Sequence, residues 1–307
     1  MIYKSVLDTI GGTPLIHAAR YEAALSLPAT LLVKMESRNP AGSIKDRAAL
    51  SMLRDAMARG VLQEGGTVIE ATSGNTGVGL AMAAAVLGFR VLLCMPESMS
   101  IERRKLLAAF GATLVLTPAA EGMAGANAKA AALQRETPGS FLVSLFDNPA
   151  NPAAHEASTG PEIWRDTEGH VDALVACVGT GGTLSGAARY LKRQNPMLKA
   201  FGVEPAESPV LGGGPAGAHG IQGIGANFVP LNYDASLVEE VLRVTTEEAM
   251  QCARGFARSE GILCGISSGA AICGATKLAR RGAQKGCTIV AILPDTGERY
   301  LSTALYE

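Results

Sequence analysis

From about residue 67 onward, short apolar runs rich in β-branched residues alternate with Ala-rich stretches of helical period. Thr67–Ala71 reads as a strand, Val78–Leu87 as a helix and Arg90–Met95 as the next strand. Ile101–Phe110 is a further helix, stopped by Gly111, and Thr113–Leu116 is a third strand. A helix over about Gly122–Glu136 leads into the strand Phe141–Ser144. Ala173–Cys177, Leu184–Gln194 and Ala200–Glu204 repeat the order strand, helix, strand. Thr245 with Glu248 has the capping-box pattern of a helix start, and that helix ends near Gly261. Ser267 or Ser268 starts another helix, and Thr288–Leu293 is the final strand. This alternation predicts an α/β fold with parallel sheets covered by helices on both faces. The Asn- and Pro-rich Asp147–Pro152 separates two such runs, which predicts two α/β units with a cleft between them. Gly212–Gly220 is Gly-rich enough to form a mobile loop.

Composition narrows the function classes. The 307 residues are 48% hydrophobic and 18% charged, enough for a large buried core. A net charge of −1 without any Lys/Arg run argues against a nucleic-acid footprint. Apolar stretches such as Ala81–Phe89 are far too short to span a bilayer, and the N-terminal residues lack the regions of a signal peptide. Six scattered cysteines with no C-x-x-C pair, and only four histidines, predict reduced thiols in a cytoplasmic protein and no metal centre.

Four segments carry candidate chemistry. In Asn39-Pro40-Ala41-Gly42-Ser43-Ile44-Lys45-Asp46-Arg47, Ser43 and Asp46 fit a helix cap with its reciprocal carboxylate. Lys45 then stands in the first helical turn, where the positive pole disfavours an ammonium and favours a free amine suited to Schiff-base chemistry. The same position also fits a solvated lysine beside Asp46 and Arg47. Glu70-Ala71-Thr72-Ser73-Gly74-Asn75-Thr76-Gly77, between a strand and a helix, offers hydroxyl, amide and backbone N–H donors to a carboxylate or phosphate, and equally fits a capped turn. Gly179-Thr180-Gly181-Gly182-Thr183 lies between a strand and a helix, and its glycines let successive N–H groups converge on one anion. A dinucleotide fingerprint competes there, with Glu204 ending the next strand, but Leu184 occupies the position that needs Gly or Ala, which favours a single phosphate. Gly265-Ile266-Ser267-Ser268-Gly269 satisfies the hydrolase elbow G-x-S-x-G, yet no histidine follows His219 in the chain. Ser267 is left as a helix cap or a cofactor contact.

Taken in order, N-P-x-G-S-x-K-D-R, T-S-G-N-T-G, N-P-A-N-P, G-T-G-G-T and G-I-S-S-G resemble the cysteine synthase (O-acetylserine sulfhydrylase) family of fold-type II pyridoxal-phosphate enzymes. The similarity runs from Gly11-Gly12-Thr13-Pro14-Leu15 to Gly297–Thr303. It implies a tryptophan synthase β-like pair of three-layer α/β domains, with the active site in the cleft. Residues 1–36 and 150–307 would form the larger domain with the phosphate-binding loop, and 37–149 a smaller mobile domain with the substrate loop. The resemblance makes Lys45 the residue that holds pyridoxal 5'-phosphate covalently and shuttles protons, and Asn75 a hydrogen-bond partner of its phenolic oxygen. Gly179, Thr180, Gly181, Gly182 and Thr183 would cradle the phosphate, and Ser267 would meet the pyridine nitrogen. Thr72, Ser73, Gly74, Asn75 and Thr76 would bind the substrate, with Gly223 lining the pocket. The implied reaction converts O-acetyl-L-serine and sulfide to L-cysteine and acetate through an aminoacrylate, in a cytoplasmic homodimer.

Three departures from the family pattern bear on specificity. Leu145 stands where relatives have a Gln that holds the substrate carboxylate, and Asn227 where they commonly have Gly. The loop Pro215–Gly220 keeps His219 but lacks the lysines that help relatives dock serine acetyltransferase, which argues against that partner. The alternatives are a related β-substitution enzyme with another nucleophile or leaving group, including sulfide release from cysteine, and a regulator that has lost catalysis.

Overall fold

The computed structural model describes residues 2–72, 74–281 and 285–307. Along the chain run β1 (Leu15–His17), α1 (Ala19–Leu25), β2 (Thr30–Met35), α2 (Lys45–Ala58), β3 (Thr67–Ala71), α3 (Asn75–Leu87) and β4 (Arg90–Pro96). Next come α4 (Ile101–Ala109), β5 (Thr113–Thr117), α5 (Gly122–Glu136), β6 (Phe141–Leu142), α6 (Ala150–Ala154) and α7 (Gly160–Asp166). The remainder is β7 (Ala173–Cys177), α8 (Gly182–Gln194), β8 (Lys199–Pro205), β9 (Glu240–Val244), α9 (Thr246–Glu260), α10 (Ile266–Ala279) and β10 (Thr288–Leu293). Contacts group Met1–Ile10 with Lys45–Asn151 as one unit and Gly11–Ile44 with Pro152–Glu307 as the other, whereas the sequence put divisions at 36/37 and 149/150. The short helical turn Val6–Thr9, closed by a Ser5–Asp8 capping box, lies against α3, which draws the N-terminal residues into the smaller unit.

The larger unit is built on a six-stranded sheet of order β1-β2-β10-β7-β8-β9, parallel except for the β1–β2 pair. Side chains alternate across it with the period of two that a strand imposes. Ile289, Ala291 and Leu293 of β10 pack with Phe256, Ile272 and Ala275 from α9 and α10. Val290 and Ile292 pack on the other face with Ile163, Leu184 and Leu191 from α7 and α8. Burial on both faces explains why these strands read as continuous apolar runs.

The smaller unit holds a four-stranded parallel sheet of order β5-β4-β3-β6. Ala126 and Ala130 of α5 cover Ile69, Ala71 and Cys94 on one face, and α3 packs against β4 and α2. Because β3 lies between β4 and β6, the loop that leaves its C-terminal end is flanked by the segments that follow those two strands. Loops at the C-terminal edge of a parallel sheet are where such folds bind ligands.

Local signals account for most boundaries. Thr245 and Glu248 form the expected capping box on α9, and Gly261 closes that helix at φ 70°. Two details differ from expectation. The strand after α5 ends at Leu142, and Ser144 turns the chain at φ 54°. Helix α2 begins at Lys45 itself, so Ser43 stands one residue before the cap position and instead pairs in an isolated bridge with Asp295. Strand β2 carries Lys34, fully buried and held by Glu162 at 2.9 Å and Asp166 at 3.2 Å, a charge that masks the strand's apolar pattern.

The α9–α10 hairpin tolerates no side chain at Gly269. A Cβ there would run into the Ala249 carbonyl and stand 2.8 Å from the Ala253 Cβ. Gly269→Ala is therefore expected to lower unfolding free energy by about 2 kcal/mol or more, measured by urea denaturation. A variant as stable as the parent would show that the two helices part without cost.

Candidate active site

In the smaller unit, Lys45 and Asn75 each occupy the first position of a long helix, α2 and α3. Gly79 brings these helices together, since a Cβ there would lie 3.1 Å from the Lys45 carbonyl oxygen and 3.2 Å from the Ala49 Cβ. The two side chains thus arise from neighbouring helix starts and are both half-buried. Thr72 follows β3, is buried, and its Oγ1 accepts from the Gly74 N–H at 3.3 Å. Gly74 caps α3 without any side-chain hydrogen bond, and no acidic residue sits in the first turn. Thr76 is buried in that turn. The helix start is left able to receive an anion. Ser73 lies outside the described residues.

In the larger unit, the Gly179–Thr183 loop leads from β7 into α8. A Cβ at Gly179 would collide with the Gly223 carbonyl oxygen. One at Gly181, which is left-handed at φ 82°, would stand 2.7 Å from Tyr233. Gly181 caps α8 with no side-chain bond and no acidic first turn. The buried Thr180 hydroxyl accepts from the Gly182 N–H at 3.4 Å. Thr183 Oγ1 lies 3.3 Å from Nε2 of the buried His155, whose Nδ1 is 2.9 Å from Thr159 Oγ1. This is a narrow cradle of backbone N–H groups and hydroxyls that excludes side chains, which fits a phosphate.

Ser267, in the first turn of α10, is buried, and its carbonyl accepts from Cys177 Sγ at 3.1 Å. Burial pushes the Cys177 thiol far above its ordinary value, so the sulfur keeps its proton and donates. Cys177 ends β7, so this bond ties the phosphate-type loop to the start of α10. Gly223, at φ 92°, rests against Gly179, and the Gly225 N–H donates to the Val178 carbonyl at 3.1 Å. Asn227 is left-handed at φ 66°, and its Oδ1 accepts from the Ser208 hydroxyl at 2.7 Å. Asparagine tolerates this conformation better than most residues. A small pocket beside Gly179 is lined by Glu204, Ser208, Gly225, Asn227 and Phe228 among others. Glu204 is engaged by the N–H groups of Leu211 and Gly212 at 2.8 and 3.1 Å.

The family model of the pyridoxal-phosphate dependent enzymes matches residues 6–295. The chain belongs to that family. It is 50% identical over 314 residues to cysteine synthase A of Escherichia coli (strain K12), covering 99% of this chain and 96% of the relative. It is 47% identical over 303 residues to a cysteine synthase of Staphylococcus aureus (strain Mu50), covering 98% of this chain and 96% of that one. The solved structure of O-acetylserine sulfhydrylase isoform 3 from Entamoeba histolytica superposes with a TM-score of 0.97 at 47% identity, covering 100% of this chain and 92% of that one. Taken unit by unit, the chemistry suits the family's cofactor: an amine, Lys45, at the start of α2 in the smaller unit, and in the larger a glycine cradle at the start of α8 and the Ser267 hydroxyl at the start of α10.

Sequence reasoning gave no role to Cys177, His155 or Glu70. Their signals were present: a cysteine ending an apolar strand, a histidine three residues after the N-P-A-N-P segment, and a carboxylate at the head of the Glu70–Gly77 segment. Glu70 is buried, with Oε1 accepting from the Ala71 N–H at 2.9 Å and Oε2 from the Leu145 N–H at 3.1 Å. It therefore anchors the segment that carries Leu145. Burial pushes its carboxyl up from 4.5 to about 7, against the lowering effect of these backbone donors.

Such a raised acid is protonated in both states at low pH, and as pH rises from 4.5 to about 7 the unfolded chain ionises first. Its contribution to stability is thus full below 4.5 and lost on the way to 7. Between pH 5 and 8, the unfolding free energy of the protein relative to Glu70→Gln should fall by roughly 2 to 3 kcal/mol. Urea midpoints for both proteins at the two pH values check this; a constant difference would place the carboxyl's titration elsewhere.

Proposed function

We propose that the protein joins sulfide to the β-carbon of O-acetyl-L-serine, releasing acetate and forming L-cysteine. The observation that carries this reading is the 50% identity to a cysteine synthase over 99% of the chain. Bound pyridoxal phosphate supplies an electron sink that acidifies the α-proton of an amino acid joined to it. The Lys45 Nζ anchors the cofactor, then takes the α-proton from the substrate and returns one to the product. Asn75 donates to the cofactor's phenolic oxygen, and the Gly179–Thr183 N–H groups and hydroxyls hold its phosphate. Ser267 offers the ring nitrogen a hydrogen bond but no full proton, as an aspartic acid partner would. With Ser267 in that place the sink would be weak, which would favour prompt loss of the β-substituent over transamination. Thr72, Ser73, Gly74 and Thr76 take the substrate carboxylate, supported by the uncapped start of α3. Gly223 lines the pocket, its contact with Gly179 supporting the assignment.

The reading includes a homodimer in the cytoplasm, a compartment in keeping with six free thiols. Glycine and alanine in place of lysines in Pro215–Gly220 speak against a complex with serine acetyltransferase.

A spectrum of the protein loaded with pyridoxal phosphate tests the reading. Its visible band should shift on adding O-acetyl-L-serine and return with sulfide, yielding one cysteine per acetate. Sulfide release from cysteine alone at a comparable rate would move the function to the reverse class of β-substitution. Lys45→Ala should reduce turnover by at least about a thousandfold, measured as cysteine formed. A smaller loss would assign the proton transfer to another base.

A further inference from the structure

The loop from Thr72 to Thr76 is flanked, through the strand order β5-β4-β3-β6, by the segments after β4 and after β6. On the β6 side stands Leu145, whose hydrocarbon side chain is buried. Its backbone is committed, the N–H to Glu70 and the carbonyl to the Asn151 amide at 2.9 Å. Residue 145 therefore brings no side-chain donor to the loop. On the β4 side, α4 carries Glu102 in its first turn, with Arg103 and Arg104 directly after it. Arg104 braces the approach to its own helix, its Nε donating to the Met99 carbonyl at 3.0 Å and its Nη2 to the Glu97 carbonyl. Arg103 is directed elsewhere. A Cβ on Gly74 would stand 3.8 Å from its Nη1, so the half-buried guanidinium lies over the backbone of the glycine that caps α3.

We propose that Arg103 is a specificity-determining residue for the amino-acid carboxylate, supplying from the β4 side the attraction that Leu145 does not supply from the β6 side. The proposal rests on the reading of Thr72–Thr76 as the carboxylate site. The guanidinium is permanently charged, and its field adds to that of the α3 N-terminus at the same glycine. The carboxylate of an amino acid gains from both sources; the neutral carboxamide of an analogue gains from neither. Discrimination would thus be electrostatic, where an amide at residue 145 would have given a directed hydrogen bond.

The test is calorimetric titration of the protein loaded with pyridoxal phosphate, using L-alanine, which lacks a leaving group, and L-alaninamide. R103Q should weaken alanine about tenfold while changing alaninamide by less than about twofold, and R103K should restore most of the alanine affinity. R103M, which keeps the apolar stem, serves as the neutral variant if R103Q does not fold. Equal weakening of both ligands would make Arg103 a support of the loop and overturn the proposal, as would no change in either. Parent protein that binds alanine no better than alaninamide would instead remove the carboxylate-site reading on which the proposal stands.

Discussion

The site depends on helices that begin without a cap of their own. Helices α3, α8 and α10 start at Gly74, Gly181 and Gly265, none of which lends a side-chain hydrogen bond to the first turn. Serine, threonine or aspartate at these positions would have satisfied the leading N–H groups internally. Glycine leaves them to an external partner, at a cost to the free helix of only a few tenths of a kcal/mol relative to a capping residue. Lys45, Asn75, Gly182 and Ser267 all fall within the first two positions of their helices. The positive end of a helix that no side chain of its cap residue satisfies is thus common to the starts of α3, α8 and α10.

Close backbone packing makes that feature available. Gly79 lets α2 and α3 approach until the Lys45 carbonyl lies beside it, and Gly179 lets the loop at Gly223 reach the end of β7. A side chain at either would separate elements whose proximity the chemistry needs. The bond from Cys177 to the Ser267 carbonyl fastens the last of these joints. Parallel sheets supply the rest, since the loops that leave the C-terminal ends of β3 and β7 lead into α3 and α8.

Two residues at the edges of this frame are held by packing and hydrogen bonding. Asn227 stands at a left-handed position it can adopt, and the Ser208 hydroxyl donates to its amide oxygen. Leu145 buries a hydrocarbon side chain while its N–H stays tied to Glu70.

The sequence by itself determined the class of fold, most elements and the order of motifs. Periodicity, the Thr245–Glu248 box and glycines such as Gly261 act through near neighbours, and local rules read them correctly. It also determined the candidate chemistry, because glycine-rich loops and a lysine at a helix start carry their meaning in their types and spacing. Tertiary structure alone decided three things. Strand β2 escaped reading because Lys34 meets Glu162 and Asp166, residues more than a hundred positions away. The N-terminal ten residues joined the smaller unit through a contact with α3 that no local pattern encodes. Glu70, Arg103 and Leu145 came to bear on one loop because β3 pairs between β4 and β6. The physical reason is common to all three: burial and charge act over ångströms of space, and the chain sets that spacing only once its strands have chosen their partners.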